Sequence, residues 1–412
     1  MANWNQKNEA DRHNARVSNV FSSKGKLTDL VGYLFSNGGP ASFMLGGGTP
    51  AERYALLTPF LSEVIGRMPV IALHGGSSFL EDRLCQAYGD VPENECPEMW
   101  LTNSSRPYFE PLVGMSDNQV VSSMRHLGQA LGYSVQPRLE RIVRAHIAVL
   151  HYLQIPVSLT GLSYLSSFSD MGELHGNVME LPCGTDAARR IWADMGTDAD
   201  DGQFDLFRTI VHNLENDASQ SGWISDNHVS EYNIITAMQR CAVFSLSINQ
   251  YYSELLLPYL LEELKMASGQ SFVLLIDGLQ LRNEAFLEYL CAPNPNCFKG
   301  FLSDNVLELT GGDESRFFRM VGGVNSFVFF KHSIGKTADV LAEVFGRYEH
   351  TKVSTTQGTN RGAFHILPSG LHSDMQYSTE NRYRVMSEEL MALGYCQAII
   401  FDTQTDQIIH FN

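Results

Sequence analysis

Short apolar runs that end in glycine, with a helix-patterned segment between them, constrain this fold most. Residues 41–45 (ASFML) stop at three consecutive glycines, and residues 69–76 (PVIALHGG) also end in glycine. Between them, apolar residues of AERYALLTPFLSEVIGRM recur at helical spacing. Two buried strands joined by a helix lie parallel in one sheet. The opening of the chain therefore predicts an α/β fold, with a mostly parallel sheet flanked by helices.

The strand pattern returns in the second half of the chain. Residues 272–277 (FVLLID), 305–310 (NVLELT) and 325–330 (NSFVFF) predict further strands, and residues 397–411 predict a terminal hairpin. Residues 244–267, which precede this region, predict one long apolar helix. The sheet is therefore expected to continue after the interruption described next.

The middle of the chain is helical in its apolar period, and no strand pattern interrupts it between about residues 115 and 215. This contrast predicts an all-helical insertion at 113–222 within an α/β core formed by 31–112 and 223–412. A polar arm is predicted for residues 1–30, because that stretch lacks a sustained apolar pattern.

Composition excludes several classes of protein. The 412 residues carry a formal net charge of −17, which argues against a dedicated nucleic-acid binder. The N-terminus lacks the apolar segment of a signal peptide, and no apolar run reaches bilayer length. Seven scattered cysteines suit a reducing compartment, so a cytoplasmic location is expected. Neither the cysteines nor the histidines show zinc-site spacing, so no metal is expected.

A Gly-Lys-Thr tripeptide at 335–337 invites comparison with a phosphate-binding loop, G-x-x-x-x-G-K-[ST]. The first glycine of that pattern would fall at position 330, which is Phe330. A bulky strand residue stands where the chain must turn tightly. We therefore interpret this stretch as a strand, a short loop and a helix.

The loop after the first strand is in the right place for phosphate binding. If Gly46 opens the pattern, Glu52 takes the lysine position and Arg53 the hydroxyl position. A register shifted by one residue puts Arg53 at the lysine position. The sequence favours a glycine turn before a helix, and it leaves open a divergent nucleotide site. That site would be made of Gly46, Gly47, Gly48, Thr49 and Arg53.

Asp277 ends the buried strand FVLLID, as the magnesium-binding aspartate does in the second ATPase signature. The next residue is Gly278, and no carboxylate follows until Glu284. Loss of the general base costs a rate factor of about 10²–10⁴. Asp277 is thus a candidate catalytic residue only if the protein is active, and it otherwise ends a strand.

An arginine stripe lies in the predicted insertion. Arg138, Arg141 and Arg144 are three residues apart on one side of a predicted helix. They could contact a protein partner or nucleic acid, or they could form a solvated face.

The order of these segments resembles that of the type IV secretion coupling proteins, the TraG/TraD-type conjugative DNA-transfer ATPases of the FtsK/HerA group. The resemblance covers about residues 40–412. It rests on five stretches in order: PVIALHGGSSFLEDRL, YFEPLVGMSDNQVVSSM, FVLLIDGL, NSFVFFKHSIGKTADVLAEVFGRYE and RYRVMSEELMALGYCQAIIFD. It implies a P-loop NTPase-like (RecA-like) core whose nucleotide loop is the one at 46–53.

The resemblance also implies a place in a transfer machine, although the chain departs from the family's pattern. The lysine and hydroxyl of the loop and the glutamate after Asp277 are missing. The leading hypothesis is a degenerate, non-hydrolysing assembly or regulatory component without cofactor. It would have protein partners, could form a homo-oligomeric ring, and would reach the membrane only through partners. The alternatives are an active DNA-translocating ATPase using ATP and Mg²⁺, and a non-enzymatic nucleic-acid-binding module. In a ring, four arginines are candidates to reach a neighbour's site: Arg347, Arg361, Arg382 and Arg384.

Overall fold

The computed structural model describes residues 20–23, 42–76, 78–90, 98–101, 109–166, 176, 202–224, 232–240, 243–249, 255–267, 269–358 and 372–411. The strands are β1 (Val20–Ser23), β2 (Phe43–Gly46), β3 (Val70–His74), β4 (Met99–Leu101), β5 (Val243–Ser247), β6 (Phe272–Asp277), β7 (Cys297–Ser303), β8 (Ser326–Phe329), β9 (Arg347–Gly358), β10 (His372–Tyr383), β11 (Ala398–Asp402) and β12 (Gln407–Phe411). The helices are α1 (Pro50–Val64), α2 (Ser78–Gly89), α3 (Asp117–Ala130), α4 (Pro137–Tyr152), α5 (Leu159–Ser166), α6 (Gly202–Gln220), α7 (Ile234–Gln239), α8 (Leu256–Ala267), α9 (Glu284–Cys291), α10 (Glu314–Val321), α11 (Gly335–Phe345) and α12 (Ser387–Ala392).

Within the described residues, ten strands form one sheet in the order β1-β12-β11-β8-β2-β7-β6-β3-β5-β4. Neighbours are parallel except for the two pairs made by β11, which runs antiparallel to β8 and β12. Helices cover the sheet on both faces. The predicted fold class, a mostly parallel P-loop NTPase-like sheet flanked by helices, is confirmed.

Alternate residues of the central strands belong to two separate hydrophobic cores, because successive side chains of a strand point to opposite faces of the sheet. Phe43 and Leu45 of β2 pack with α1 and α2 on one face. Met44 points to the other face and joins the core that contains α3–α10. We call α3–α6 the helical lobe. Because its apolar residues belong to the same core as one face of the sheet, the lobe is packed onto the sheet. The boundaries of the three predicted regions stay a prediction.

Several local predictions were wrong. The predicted strand at 305–310 is a 3-10 helix, Val306–Thr310. The predicted long helix at 244–267 is strand β5 followed by α8, because a single apolar run can satisfy either period. Within the predicted polar arm, β1 pairs in parallel with β12.

The hairpin β9–β10 forms a separate two-stranded antiparallel sheet that the sequence analysis missed. The sequences of the two strands are mostly polar and give no alternating apolar signal. The predicted hairpin at the C-terminus is confirmed, with β11 and β12 paired antiparallel.

Candidate functional site at the glycine loop

The glycine loop, residues 46–49, lies at the carboxyl ends of the parallel strands, at the end of the central strand β2. From β2 the chain passes through α1 to β3 on one side, whereas β8, on the other side of β2, follows β7. Such a change of direction opens a crevice outside the carboxyl ends of the strands, where α/β proteins bind ligands. The backbone thus places the loop at the crevice where α/β proteins bind ligands.

The backbone amides of this loop are committed to the protein itself. Gly47 N–H donates to Ser303 O (3.0 Å), at the end of β7, and Gly48 N–H donates to Lys331 O (2.8 Å). Both glycines have positive φ, 74° and 60°. A Cβ on Gly47 would come within 2.5 Å of the His332 ring. The N–H groups of Gly47 and Gly48, which a bound phosphate would need, are therefore already hydrogen-bonded within the protein.

Arg53, the predicted phosphate ligand, turns its guanidinium into the loop. Its Nη1 donates to Gly47 O (2.6 Å) and Gly48 O (3.0 Å), and the residue is only 5% exposed. Its Nε has no hydrogen-bond partner in the part of the chain that the structure describes. The cation thus stabilises the loop's carbonyl oxygens from inside.

Glu52 occupies the anion-binding end of α1. Its carboxylate accepts hydrogen bonds from Thr49 N–H (2.7 Å), the Thr49 hydroxyl (2.9 Å) and Cys396 N–H (2.7 Å). With Thr49 as N-cap this is a capping box, a self-contained way to satisfy a helix N-terminus. The Glu52 carboxylate thus compensates the partial positive charge of the α1 N-terminus. The hydrogen bond from Cys396 N–H also joins the turn before β11 to the first turn of α1.

His332 completes the loop and was missed by sequence reasoning. It is buried, and its Nδ1 lies 2.9 Å from Phe330 O, whereas Nε2 has no partner among the described residues. Burial, helped by the positive charge of Arg53, lowers the pKa of His332 to about 4. The ring is therefore neutral at pH 7. The sequence signal for His332 was its position three residues after the end of β8.

Asp277 stands at the end of β6, separated from the loop strand β2 by β7. It is buried and accepts a hydrogen bond from the hydroxyl of Tyr54, on α1. The sequence therefore predicted its position at a strand end, but not this partner.

A second buried polar group lies beside Asp277. His74 is its register partner on β3, and His74 Nε2 lies 3.2 Å from Glu81 Oε1 and 3.1 Å from Ser245 Oγ. His74 Nδ1 accepts from Gly76 N–H (3.2 Å), which places the ring proton on Nε2. A Ser–His–acid catalytic triad needs the two ring nitrogens to face different partners. Because Nε2 serves both Glu81 and Ser245, this group is a buried hydrogen-bond cluster.

The Gly-Lys-Thr stretch lies at the start of α11, after β8. Lys336 is exposed and pairs with Glu314 (3.3 Å), and the buried Thr337 donates to Asn305 Oδ1 (2.7 Å). These side chains have structural partners, in line with the sequence interpretation.

The candidate trans-acting arginines have partners within their own chain. Arg347 lies over the Tyr383 ring (4.2 Å), Arg382 pairs with Glu380, and Arg384 binds Asp406 through both terminal nitrogens. Arg361 lies outside the described residues. Their role at a neighbour's site stays a prediction.

The arginine stripe lies on α4, as predicted. Arg141 and Arg144 are exposed, Arg138 is half-buried, and Arg144 donates to Asn118 Oδ1 (2.8 Å). Among the described residues, no group of three or more metal-ligating side chains occurs, and no helix is long and apolar enough to cross a bilayer.

Comparison with solved structures identifies the architecture. The unbound monoclinic form of the bacterial conjugative coupling protein TrwBdeltaN70 matches with a TM-score of 0.53 and 11% identity, over 90% of this chain and 84% of that one. The plasmid coupling protein TrwB in complex with the non-hydrolysable GTP analogue GDPNP matches with a TM-score of 0.53 and 12% identity, over 96% and 91%. The chain has the fold of a conjugative coupling protein.

At this identity the similarity establishes the coupling-protein fold and nothing finer. No protein-family profile matches the sequence, and no curated protein matches it. The resemblance read from the order of sequence segments is confirmed at the level of the fold. What the glycine loop does in this coupling-protein fold has to be argued from its own geometry.

Proposed function

We propose that this protein is a coupling-protein-like component of a conjugation or type IV secretion-like transfer assembly that neither binds nor hydrolyses ATP. It acts through protein contacts, as an assembly or regulatory subunit. One observation carries the proposal: the glycine loop is filled by its own side chains, with the Arg53 guanidinium on the loop carbonyls and the Glu52 carboxylate on the helix N-terminus.

The electrostatics of the loop oppose a nucleotide. A phosphate at the start of α1 would meet the Glu52 carboxylate, and two like charges at about 4 Å repel by about 4 kcal/mol at an effective dielectric of 20. It would also have to displace the hydrogen bonds that Gly47 and Gly48 make to neighbouring strand ends. Some of the similar solved structures are nucleotide complexes of TrwB, and the bound nucleotide is a property of those proteins.

The expected result of calorimetry with ATP and Mg²⁺ is no binding heat. The titration should detect binding as weak as a dissociation constant of about 0.1 mM, about −5.5 kcal/mol. A circular dichroism spectrum of the same sample shows that the protein is folded. Saturable binding by the folded protein would contradict the proposal and favour the active alternative, with Arg53 turned outwards to the phosphates.

The variant Asp277→Ala distinguishes a structural role of Asp277 from a catalytic one. If Asp277 is structural, the variant loses about 1–3 kcal/mol of unfolding free energy, because the buried Tyr54 hydroxyl loses this acceptor. Tyr54→Phe in the Asp277→Ala background removes the hydroxyl whose acceptor was deleted and should restore part of that loss. Urea denaturation measures both. Loss of a nucleotide-dependent activity in Asp277→Ala would instead mark a catalytic carboxylate.

The coupling-protein fold supports the assembly role in this proposal. A homo-oligomeric ring, a cytoplasmic location and membrane association through partners belong to this proposal. The oligomeric state at micromolar concentration, measured by light scattering, tests the ring directly.

A further inference from the structure

The chain enters and leaves the helical lobe at one place. Phe109 and Tyr232 form a parallel bridge, and Glu110 N–H donates to Tyr232 O (2.9 Å). The entering segment, residues 109–113, therefore lies beside the leaving segment, residues 232–234. Any movement of the lobe relative to the sheet acts on this junction.

Two buried carboxyls and one tyrosine hold the junction. Glu263, on α8, accepts from Ile234 N–H (3.0 Å) with one oxygen and from the Tyr259 hydroxyl with the other. The Tyr259 hydroxyl in turn accepts from Leu112 N–H (2.7 Å). This pair thus binds the leaving segment and the entering segment together. We call Glu110, Tyr259 and Glu263 the junction network.

Glu110 ties the entering segment to the lobe itself. Its carboxyl accepts from Thr160 N–H (3.1 Å) and from the Thr160 hydroxyl (3.2 Å), at the start of α5. Leu159 N–H donates to Pro111 O (3.0 Å) in the same region. The residue is completely buried.

The backbone at the junction is strained. Leu112 is buried and has φ of 74°, in the left-handed region that costs a non-glycine residue about 1–3 kcal/mol. Its amide is held by Tyr259, and the carbonyl of the next residue, Val113, accepts from the Asn233 side chain. The network thus stabilises a conformation that the segment does not favour by itself.

No cation compensates the two junction carboxyls among the residues that the structure describes. On α8, the neighbouring Glu262 pairs with His126 of α3 (2.8 Å) and with Lys265 (2.9 Å). On α6, Asp217 accepts from Leu255 N–H and Glu215 accepts from the Ser163 hydroxyl. The charged groups around the junction are therefore acidic or already paired.

We propose that the junction network is a proton-sensitive lock on the helical lobe, closed when Glu110 and Glu263 hold protons and loosened when they ionise. Ionisation would place up to two negative charges in a buried site that no cation compensates within the described structure, and each charge would carry the cost of its desolvation. The strained Leu112 segment could then relax, and the lobe would gain freedom relative to the sheet. This inference is independent of whether the glycine loop binds a nucleotide.

The direction of the pH effect follows from the same burial. Desolvation raises the pKa of Glu110 to about 7 and that of Glu263 to about 8. Because the pKa is raised in the closed state, the stabilisation is complete below the ordinary glutamate pKa. It is lost as the pH rises through about 7 and 8. The lobe should therefore be held tightly at pH 6 and loosely at pH 9.

Hydrogen–deuterium exchange of the Leu112 and Ile234 amides, at pH 6 and pH 9 and corrected for the chemical exchange rate, tests the proposal. Protection in the wild type should fall by at least about tenfold between these pH values. In Glu110→Gln/Glu263→Gln, whose amides mimic the protonated acids, protection should change by less than about threefold. Glu262→Gln, next to Glu263 but paired with His126 and Lys265, should keep the wild-type response.

An equal loss of protection in the wild type and the double variant would overturn the proposal. If the double variant does not fold, infrared spectroscopy of the wild type decides. The carbonyl band of buried protonated carboxyls should weaken between pH 6 and pH 9, and a band that stays constant would also overturn the proposal.

Discussion

Trp223→Ala is expected to lower the free energy of unfolding by about 3–5 kcal/mol. Trp223 follows the last lobe helix, α6, and is completely buried. Its indole N–H donates to Ser247 O at the end of β5 (2.7 Å), and its ring meets Phe109 edge-on at 4.7 Å. The substitution therefore leaves a cavity between lobe and sheet and removes one hydrogen bond to Ser247 O.

Urea denaturation of the two proteins measures this loss. Trp223→Phe is the matched control, because it keeps an aromatic ring against Phe109 and removes the indole N–H. The free energy of unfolding should fall less in this variant than in the alanine variant. The phenylalanine variant loses one hydrogen bond, whereas the alanine variant also leaves a full cavity. A loss below about 1 kcal/mol in Trp223→Ala would mean that lobe and sheet do not share a packed core.

His146→Leu is expected to make the protein less sensitive to acid. His146 lies on α4, packed against Phe207 at 4.4 Å, with Nδ1 2.7 Å from Ile142 O and Nε2 unpartnered within the described structure. Burial lowers its pKa to about 4. Lowering the pH from 7 to 5 should therefore cost the wild type about 2 kcal/mol more than the variant.

The sign follows from proton binding. A histidine whose pKa is depressed by folding binds its proton more readily in the unfolded chain, so its contribution to stability is present above the ordinary pKa. It is lost as the pH falls from 6.5 towards 4. Glu110, Glu263 and His332 also titrate, but they are common to both proteins and cancel in the comparison. The measurement is urea denaturation at pH 7 and pH 5.

His151→Leu serves as the control on the same helix. His151 is exposed, with its Nε2 3.0 Å from Asp117, so its substitution should leave the response to acid close to that of the wild type. Identical acid responses of wild type and His146→Leu would show that His146 is not buried and neutral in solution.

The fold class could be predicted from the sequence because the signals that set it are local. FVLLID has a buried strand's length and apolarity, and it is β6. Where the local signal was ambiguous, the prediction failed. NVLELT has strand-forming residues, yet Asn305 and Gly311 bracket it as a 3-10 turn between β7 and α10. The run 244–267 hid β5, whose burial on both faces removes any period of two.

The position of the glycine loop was predicted from the sequence, but the arrangement of its side chains was not. The sequence determined that a glycine loop follows a buried strand, that Glu52 and Arg53 stand where a phosphate loop aligned on Gly46 would have its lysine and hydroxyl, and that Asp277 ends a strand. These are facts of order and residue type. Only the tertiary structure decided that Arg53 turns inward to the loop carbonyls and that Glu52 caps α1 and binds Cys396, 344 residues further along the chain. It also brought Glu110 and Glu263 to one junction. The physical reason is that side-chain direction and burial depend on partners distant in sequence, and no local pattern of residues encodes them.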